Sequence, residues 1–355
     1  MIIPALAPLI LKDLKLTYLD AGAVFAVYLA TYAAGQIPVG LLAAKVNRSL
    51  LMGGGLLVTA LGTLLTALAP NYLAILLFQA LAGLGGAAHH PLALYLISEV
   101  YPRERRGRAL GVHGFSSSLS FTLTPLAVAA LTCYGWRVPL ICFSALAALT
   151  GLLIMAFIHA GRGPGEDPST YVRLLKSREF QRLLTLFACF STGERGLISF
   201  LPLFLIFLYG FTVEQAGWWY SLFFLAGLAG QPLIGYLADR LGWRKVILTL
   251  LTASIILILG IASGRLHQAF LVVLGFTLMS SVVLHDIAAA YMVPEKARGL
   301  GFGLIFTVGI AFASLSAGFT GFLAESLGFQ PAYMLLTIPF LLEIPILVGL
   351  RRRRS

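Results

Sequence analysis

The stretch Gly235–Lys245, which reads GYLADRLGWRK, determines how the rest of the sequence is interpreted. A long apolar run precedes it at 220–238, and another follows it at 246–264. Two membrane-length apolar segments joined by so short a turn must be antiparallel neighbours, with the turn at one face of the membrane. Because basic turns are retained on the cytoplasmic side, this turn predicts the orientation of the whole chain.

The composition excludes a soluble globular protein. Of 355 residues, 59% are hydrophobic and 11% are charged, whereas soluble domains carry about 25% charged residues. The formal net charge of +11 does not indicate a nucleic-acid-binding surface, because 20 of the 25 Lys and Arg residues fall in alternate loops and at the C-terminus. This alternation is typical of a multi-pass membrane protein whose C-terminus is cytoplasmic.

Eleven segments have the roughly 20 apolar residues that a membrane-spanning helix requires. They are 19–44, 50–69, 72–99, 109–133, 137–159, 182–209, 216–238, 244–264, 268–293, 300–323 and 331–350. Segment 1–11 is apolar but only about half the required length. An inward N-terminus needs one more complete helix, so we expect twelve helices with the first truncated, through a misassigned start or a real truncation; a native half-helix is the alternative.

The two halves of the chain resemble each other. Gly40 and Gly235 are 195 residues apart, and so are His90 and His285. An internal repeat with six spans per half runs parallel, about an axis along the membrane normal. We therefore predict an all-α membrane protein of two six-helix bundles related by pseudo-two-fold symmetry. The predicted units are a first bundle at 1–159, a cytoplasmic linker at 160–181, a second bundle at 182–350 and a basic cytoplasmic tail at 351–355.

The opening stretch also resembles the loop signature of the major facilitator superfamily, G-x-L-a-D-R-x-G-R-K. The matching residues are Gly235, Leu237, Ala238, Asp239, Arg240, Gly242, Arg244 and Lys245. The resemblance implies a transporter that works by alternating access, with a cytoplasmic gate at this turn and Asp239 as its latch. The segment at 87–114 is similar to the fosmidomycin-resistance-like efflux branch of that family.

Some positions depart from the family's pattern. Ala44 stands where the first-half signature has its aspartate, and Gln79 stands where the fourth helix has an arginine linked to proton coupling. Thr124 precedes Pro125 where the antiporter signature has glycine. These departures leave the coupling ion and the direction of transport open.

Ionisable residues inside hydrocarbon are costly, so each is a functional candidate. Among these residues, His113 lies near a helix end and is expected to be structural. Glu343 on the last span is expected to face lipid or a neighbouring helix. Adjacent residues are about 100° apart on a helix, so each neighbouring pair is expected to send one member into the cavity. Six candidates fall on helices that the resemblance assigns to the central cavity: His89, His90, Glu194, Arg195, His285 and Asp286.

Two interpretations of these residues stay open. Arg195 would bind an anionic group, or Glu194 a proton or cation; the alternative is a structural ion pair. The histidines and Asp286 would form a proton relay, because histidine titrates near neutral pH; the alternative is that His90 and His285 are repeat-related packing residues.

We therefore predict a secondary transporter of a small organic solute, with proton-coupled export as the first version and uptake of a small organic anion as the second. A non-transporting receptor or sensor, or an inactive truncated product, is the alternative of another class. The sequence has no metal-ligand spacing, nucleophile elbow or phosphate loop, so we expect no enzyme activity, cofactor or metal. The expected setting is a monomer in the plasma or inner membrane, with lipid, solute and protons as partners.

Overall fold

The computed structural model describes residues 2–43, 45–158, 160–161, 168–293 and 298–349. Within these residues all regular structure is helical, and a short 3₁₀ turn at Thr132–Tyr134 follows α6. The helices are α1 (Ile2–Leu14), α2 (Tyr18–Leu42), α3 (Arg48–Ala67), α4 (Tyr72–Gly86), α5 (His89–Val100), α6 (Arg103–Leu131), α7 (Arg137–Phe157), α8 (Pro168–Lys176), α9 (Arg178–Tyr209), α10 (Val213–Leu241), α11 (Trp243–Ala262), α12 (Phe270–Met292), α13 (Arg298–Leu327), α14 (Phe329–Leu335) and α15 (Thr337–Gly349).

Eleven helical stretches of the described part are long and apolar enough to cross a membrane, which confirms the predicted number. Helix α1 has 13 residues and is not among them. It packs against α6 and α9 with Leu6 fully buried. A longer first helix stays a prediction.

Two of the predicted spans contain a break in the helix. The span at 72–99 consists of α4 and α5, and the last span consists of α14 and α15. Each break lies just before a proline, Pro91 or Pro339. Proline has no N–H to bond the carbonyl four residues earlier, and its ring crowds that carbonyl. The carbonyls concerned belong to Ala87 and Leu335, at the two breaks.

The predicted linker is partly helical. Its described residues include α8 and the first turn of α9, which begins at Arg178 rather than at the predicted 182. Ser177 caps α9 by accepting a hydrogen bond from the backbone N–H of Phe180. Residues 162–167 and the tail at 351–355 lie outside the described residues. The division of the chain into two bundles and a linker stays a prediction at these boundaries.

Helix packing follows the order expected for two bundles. In the first half α3 packs on α7 and α2 packs on α4, while in the second half α12 packs on α10 and α13 packs on α9. The most extensive packing between the halves joins α2 with α13 and α6 with α10, and α1 also packs on α9. Gly135 and Gly328 precede α7 and α14 with φ of 100° and 84°. These equivalent left-handed turns, which favour glycine, agree with the internal repeat.

The halves approach most closely at the end opposite the basic loops. A Cβ built on Gly22 of α2 would lie 2.9 Å from the carbonyl oxygen of Ala317 and 3.0 Å from the Cα of Gly321. The backbone N–H of Tyr18 donates a 2.9 Å hydrogen bond to Oε2 of Glu325. Small residues therefore bring α2 and α13 into backbone contact at this end.

Candidate functional site

The central candidate is an ion pair in the middle of α9. Arg195 Nε lies 3.1 Å from Glu194 Oε2, with side-chain exposures of 30% and 10%. The two side chains therefore contact each other, and Arg195 is the more exposed of the two. Pairing lowers the free energy needed to keep two charges within hydrocarbon.

Residues from both halves surround this pair. The guanidinium carbon of Arg195 lies 6.0 Å from the centre of the Phe121 ring on α6. Arg195 is also near enough to interact electrostatically with Tyr28 and Tyr32 of α2 and with Tyr220 of α10. The arginine therefore lies between the halves, where phenol groups can donate hydrogen bonds and ring faces can contact a cation or an apolar group.

Glycines of α4 make room for the two tyrosines of α2. A Cβ on Gly86 would lie 3.0 Å from the Tyr32 ring and 3.3 Å from the Tyr28 hydroxyl. The two rings are 6.3 Å apart. The tyrosines were missed from the sequence, because aromatic residues are ordinary in apolar helices. The available signal in the sequence was Gly86, which leaves space for the two rings.

Three histidines lie together in the first half. The His113 ring on α6 lies 6.4 Å from that of His89 and 6.2 Å from that of His90. His90 also meets Phe306 of α13 edge to face at 4.7 Å, across the two halves. His113 was expected to be only structural. The sequence could have indicated this contact, because His90 precedes the turn at 101–102 by as many residues as His113 follows it.

The histidine rings do not form a metal centre. In the described part of the chain, no group of three or more His, Cys, Asp or Glu side chains is arranged to hold a metal ion.

His285 and Asp286 of α12 face different surroundings. His285 is 1% exposed, and its Nε2 lies 2.6 Å from Oε1 of Glu343, which is fully buried on α15. The Asp286 side chain is exposed, whereas that of His285 beside it is buried. Glu343 thus faces a neighbouring helix, which is one of the two surroundings expected for it, and not lipid. The sequence feature that pointed to Glu343 is that it is a single acidic residue within the otherwise apolar helix α15.

The signature turn between α10 and α11 is exposed. It contains a glycine that adopts a positive φ and two arginines that contact aromatic rings. Gly242 has φ +88° and separates the two helices. The guanidinium carbon of Arg240 lies 4.7 Å from the ring centre of Tyr236, and that of Arg244 lies 5.2 Å from that of Trp243. Asp239 and Lys245 are exposed, and Gly235 has open space around its Cα. The role of these residues as a gate stays a prediction.

Comparisons with known proteins agree with this geometry. The family model described as Major Facilitator Superfamily matches residues 1–216 and 183–355. An uncharacterized MFS-type transporter of Bacillus subtilis (strain 168) is 27% identical, covering 98% of this chain and 88% of its own length. The fosmidomycin resistance protein of Escherichia coli (strain K12) is 23% identical over 94% of this chain and 84% of its own length.

A solved structure shares the fold. It is a bacterial homologue of the human lysosomal transporter Spinster, crystallised in an inward-facing and occupied conformation. It superimposes with a TM-score of 0.83 at 16% identity, covering 98% of this chain and 92% of its own.

Proposed function

The chain belongs to the major facilitator superfamily and is a secondary transporter of small solutes; from this premise we propose that it exports a small organic solute in exchange for protons. The solute binds between the halves, and alternating access carries it across. In this proposal the membrane is the plasma or inner membrane, and the basic loops and the C-terminus are cytoplasmic. The similarity to a fosmidomycin resistance protein supports export.

The Glu194–Arg195 pair carries this proposal. It lies at the middle of α9, between residues of both halves, and transporters of this kind hold their substrates near the bilayer midplane. In the exchange mode, solute and proton compete for Glu194, so each half-cycle carries one or the other. Asp286, which is exposed on α12, is the second acidic group that takes a proton in this proposal.

Uptake of a small organic anion together with a proton is the second candidate. The exposure of the pair favours it, because 30% of the Arg195 side chain is accessible against 10% of Glu194. An incoming anion would take Arg195, and the displaced Glu194 carboxylate would then take a proton. Both would travel in the same direction.

Two measurements test these candidates in turn. A metabolite and drug library is first screened for compounds that raise the unfolding temperature of the purified full chain. Stabilising compounds are then followed in proteoliposomes under an imposed pH gradient. Movement of solute against the direction of proton flow supports exchange, and movement in the same direction supports the second candidate. Solute movement that does not depend on the pH gradient would exclude proton coupling in both candidate functions.

A further inference from the structure

The geometry points to the His285–Glu343 pair as the site that takes up and releases the coupling proton, apart from the central Glu194–Arg195 pair. This inference rests on the proposed proton coupling and names a location for it. The pair joins α12 to α15 inside the second half, without contact with the first half through either side chain among the hydrogen bonds and ion pairs of the described residues.

The hydrogen bonds fix how many protons the pair holds. His285 Nδ1 lies 2.8 Å from the carbonyl oxygen of Ser281. A carbonyl only accepts, so Nδ1 carries a proton. His285 Nε2 and Glu343 Oε1, 2.6 Å apart, then share one further proton. With that proton the pair is neutral, without it the pair is an anion, and one more proton makes it a cation.

One atom of the pair is available for a second proton. Glu343 Oε2 is buried and has no hydrogen-bond partner among the residues that the structure describes. A buried carboxylate oxygen normally accepts hydrogen bonds. Oε2 is therefore the position that takes the second proton when the pair gains one.

The surroundings of the pair oppose any net charge. The Phe190 ring stacks on His285 at a centroid distance of 3.9 Å, and Phe187 meets it edge to face at 5.7 Å. The other titratable groups near enough to act electrostatically on the pair are Cys189 of α9 and Asp286 of α12. A proton gained or lost in this apolar setting therefore requires water or a moved helix to stabilise the new charge.

The pair has approaches from two sides. A cavity of about 350 Å³ is lined by Arg178, Arg182, Thr185 and Ile346, at the end of the bundle that carries the basic loops. Ile346 is three residues after Glu343 on α15, about 4.5 Å along the helix. On the other side Asp286, next to His285, is exposed. In this proposal protons reach the pair from the cavity at the predicted cytoplasmic end and by way of Asp286.

Helix α9 links this pair to the central site. Phe190, which stacks on His285, and Glu194, which bonds Arg195, are four residues apart. Residues at this spacing lie on the same face of a helix, one turn apart. A shift of the His285 ring on protonation is therefore transmitted through Phe190 to the turn of α9 that holds the solute-binding pair.

Infrared difference spectroscopy of the purified full chain in lipid nanodiscs tests this site without any solute. We expect a carbonyl band of a buried carboxylic acid whose intensity changes with pH and which shifts in D₂O. Glu343→Gln should abolish the band. Glu194→Gln, the matched loss of another intramembrane carboxyl, should leave it. Glu343→Asp should keep a titrating band at a shifted frequency, and it replaces Glu343→Gln if that variant does not fold.

A band that persists unchanged in Glu343→Gln, or no pH-dependent band in the wild type, would overturn the inference. That failure is distinguishable from failure of the proposed function. Solute flux driven by a pH gradient would still stand, with its proton carried by Glu194 or Asp286. Conversely, wild-type flux that ignores the gradient would remove proton coupling even if the Glu343 band titrates.

Discussion

Arg195 and Glu194 are consecutive residues of α9, and their side chains nevertheless meet, with Nε and Oε2 3.1 Å apart. Consecutive helical side chains leave the axis about 100° apart, so both must bend toward each other. The site between the halves therefore contains a neutral pair rather than two separate charges. Each member becomes an unpaired charge in a largely apolar setting when the other is removed.

Arg195→Gln is expected to reduce solute flux more than tenfold, because it removes the accessible cation of the pair. It should also lower the free energy of unfolding by about 1–2 kcal/mol, since it leaves the Glu194 carboxylate without a partner. Proteoliposome flux and thermal unfolding measure the two effects. Arg265→Gln, at an exposed residue of a loop, is the matched control and should change neither.

The double variant Glu194→Gln/Arg195→Gln separates the two roles. It removes both charges, so its unfolding temperature should recover toward the wild-type value while its flux stays low. Stability no better than that of Arg195→Gln alone would contradict the view that the residues act as a pair.

Gly321→Val is expected to stop transport by holding α2 and α13 apart. A Cβ at Gly321 would lie 2.6 Å from the carbonyl oxygen of Tyr18 and 2.9 Å from the Cα of Gly22. Backbone cannot move aside as a side chain can, and such overpacking costs about 1–3 kcal/mol. Spin-label distances between the ends of α2 and α13 should lengthen, together with a loss of flux.

Gly54→Val on α3 is the control for this substitution, because a Cβ on Gly54 has no atom within 4 Å. It introduces the same side chain into an apolar helix and should leave the distances and the flux unchanged. Equal loss of flux in both variants would mean that valine acts on helix stability and not on the approach of the halves.

The sequence was sufficient for the spans, since hydropathy reports directly which segments lie in lipid. It was also sufficient for the turn at Gly242 and for the repeat. It did not predict the partner of Glu343, because residues 285 and 343 meet only after α12 and α15 have packed, and a single sequence does not specify that packing. Tyr28 and Tyr32 were missed because aromatic residues are common in apolar helices and do not by themselves indicate a site.

The breaks before Pro91 and Pro339 could have been read from the sequence. Proline disrupts the helical turn that precedes it. Hydropathy averaged over a window does not detect this, because the average stays apolar across both prolines. The hydrogen bonds of the backbone, rather than the preference for lipid, decided these two boundaries.

A pH-dependent contact is expected at the end of α1. Trp136 Nε1 and Arg137 donate hydrogen bonds to Oδ2 of Asp13 at 2.9 and 3.1 Å, and these bonds lower the pKa of the Asp13 carboxyl. A lowered folded-state pKa means that the contact contributes fully above the unfolded pKa, near pH 4. It is lost as the pH falls through the lower folded value.

Tryptophan fluorescence of Trp136, obtained as the difference from Trp136→Phe, follows this contact. It should be constant above about pH 5 and change as the solution becomes more acidic than about pH 4. Asp13→Asn keeps an acceptor oxygen but does not titrate, so its fluorescence should be flat. The same acid transition in Asp13→Asn would assign the signal to another group.

Two glycines of the signature turn should respond oppositely to alanine. Gly242 has φ +88° and ψ 126°, a region that residues with a Cβ rarely adopt, so Gly242→Ala is expected to destabilise by about 1–3 kcal/mol. Gly235 lies inside α10 with open space around it, and alanine stabilises an open helical position by about 1 kcal/mol relative to glycine. Thermal unfolding should therefore shift downward for the first and upward for the second. A downward shift for Gly235→Ala would show that its Cα faces a close neighbour in another state of the transport cycle, which would make the glycine a requirement of gating rather than of folding.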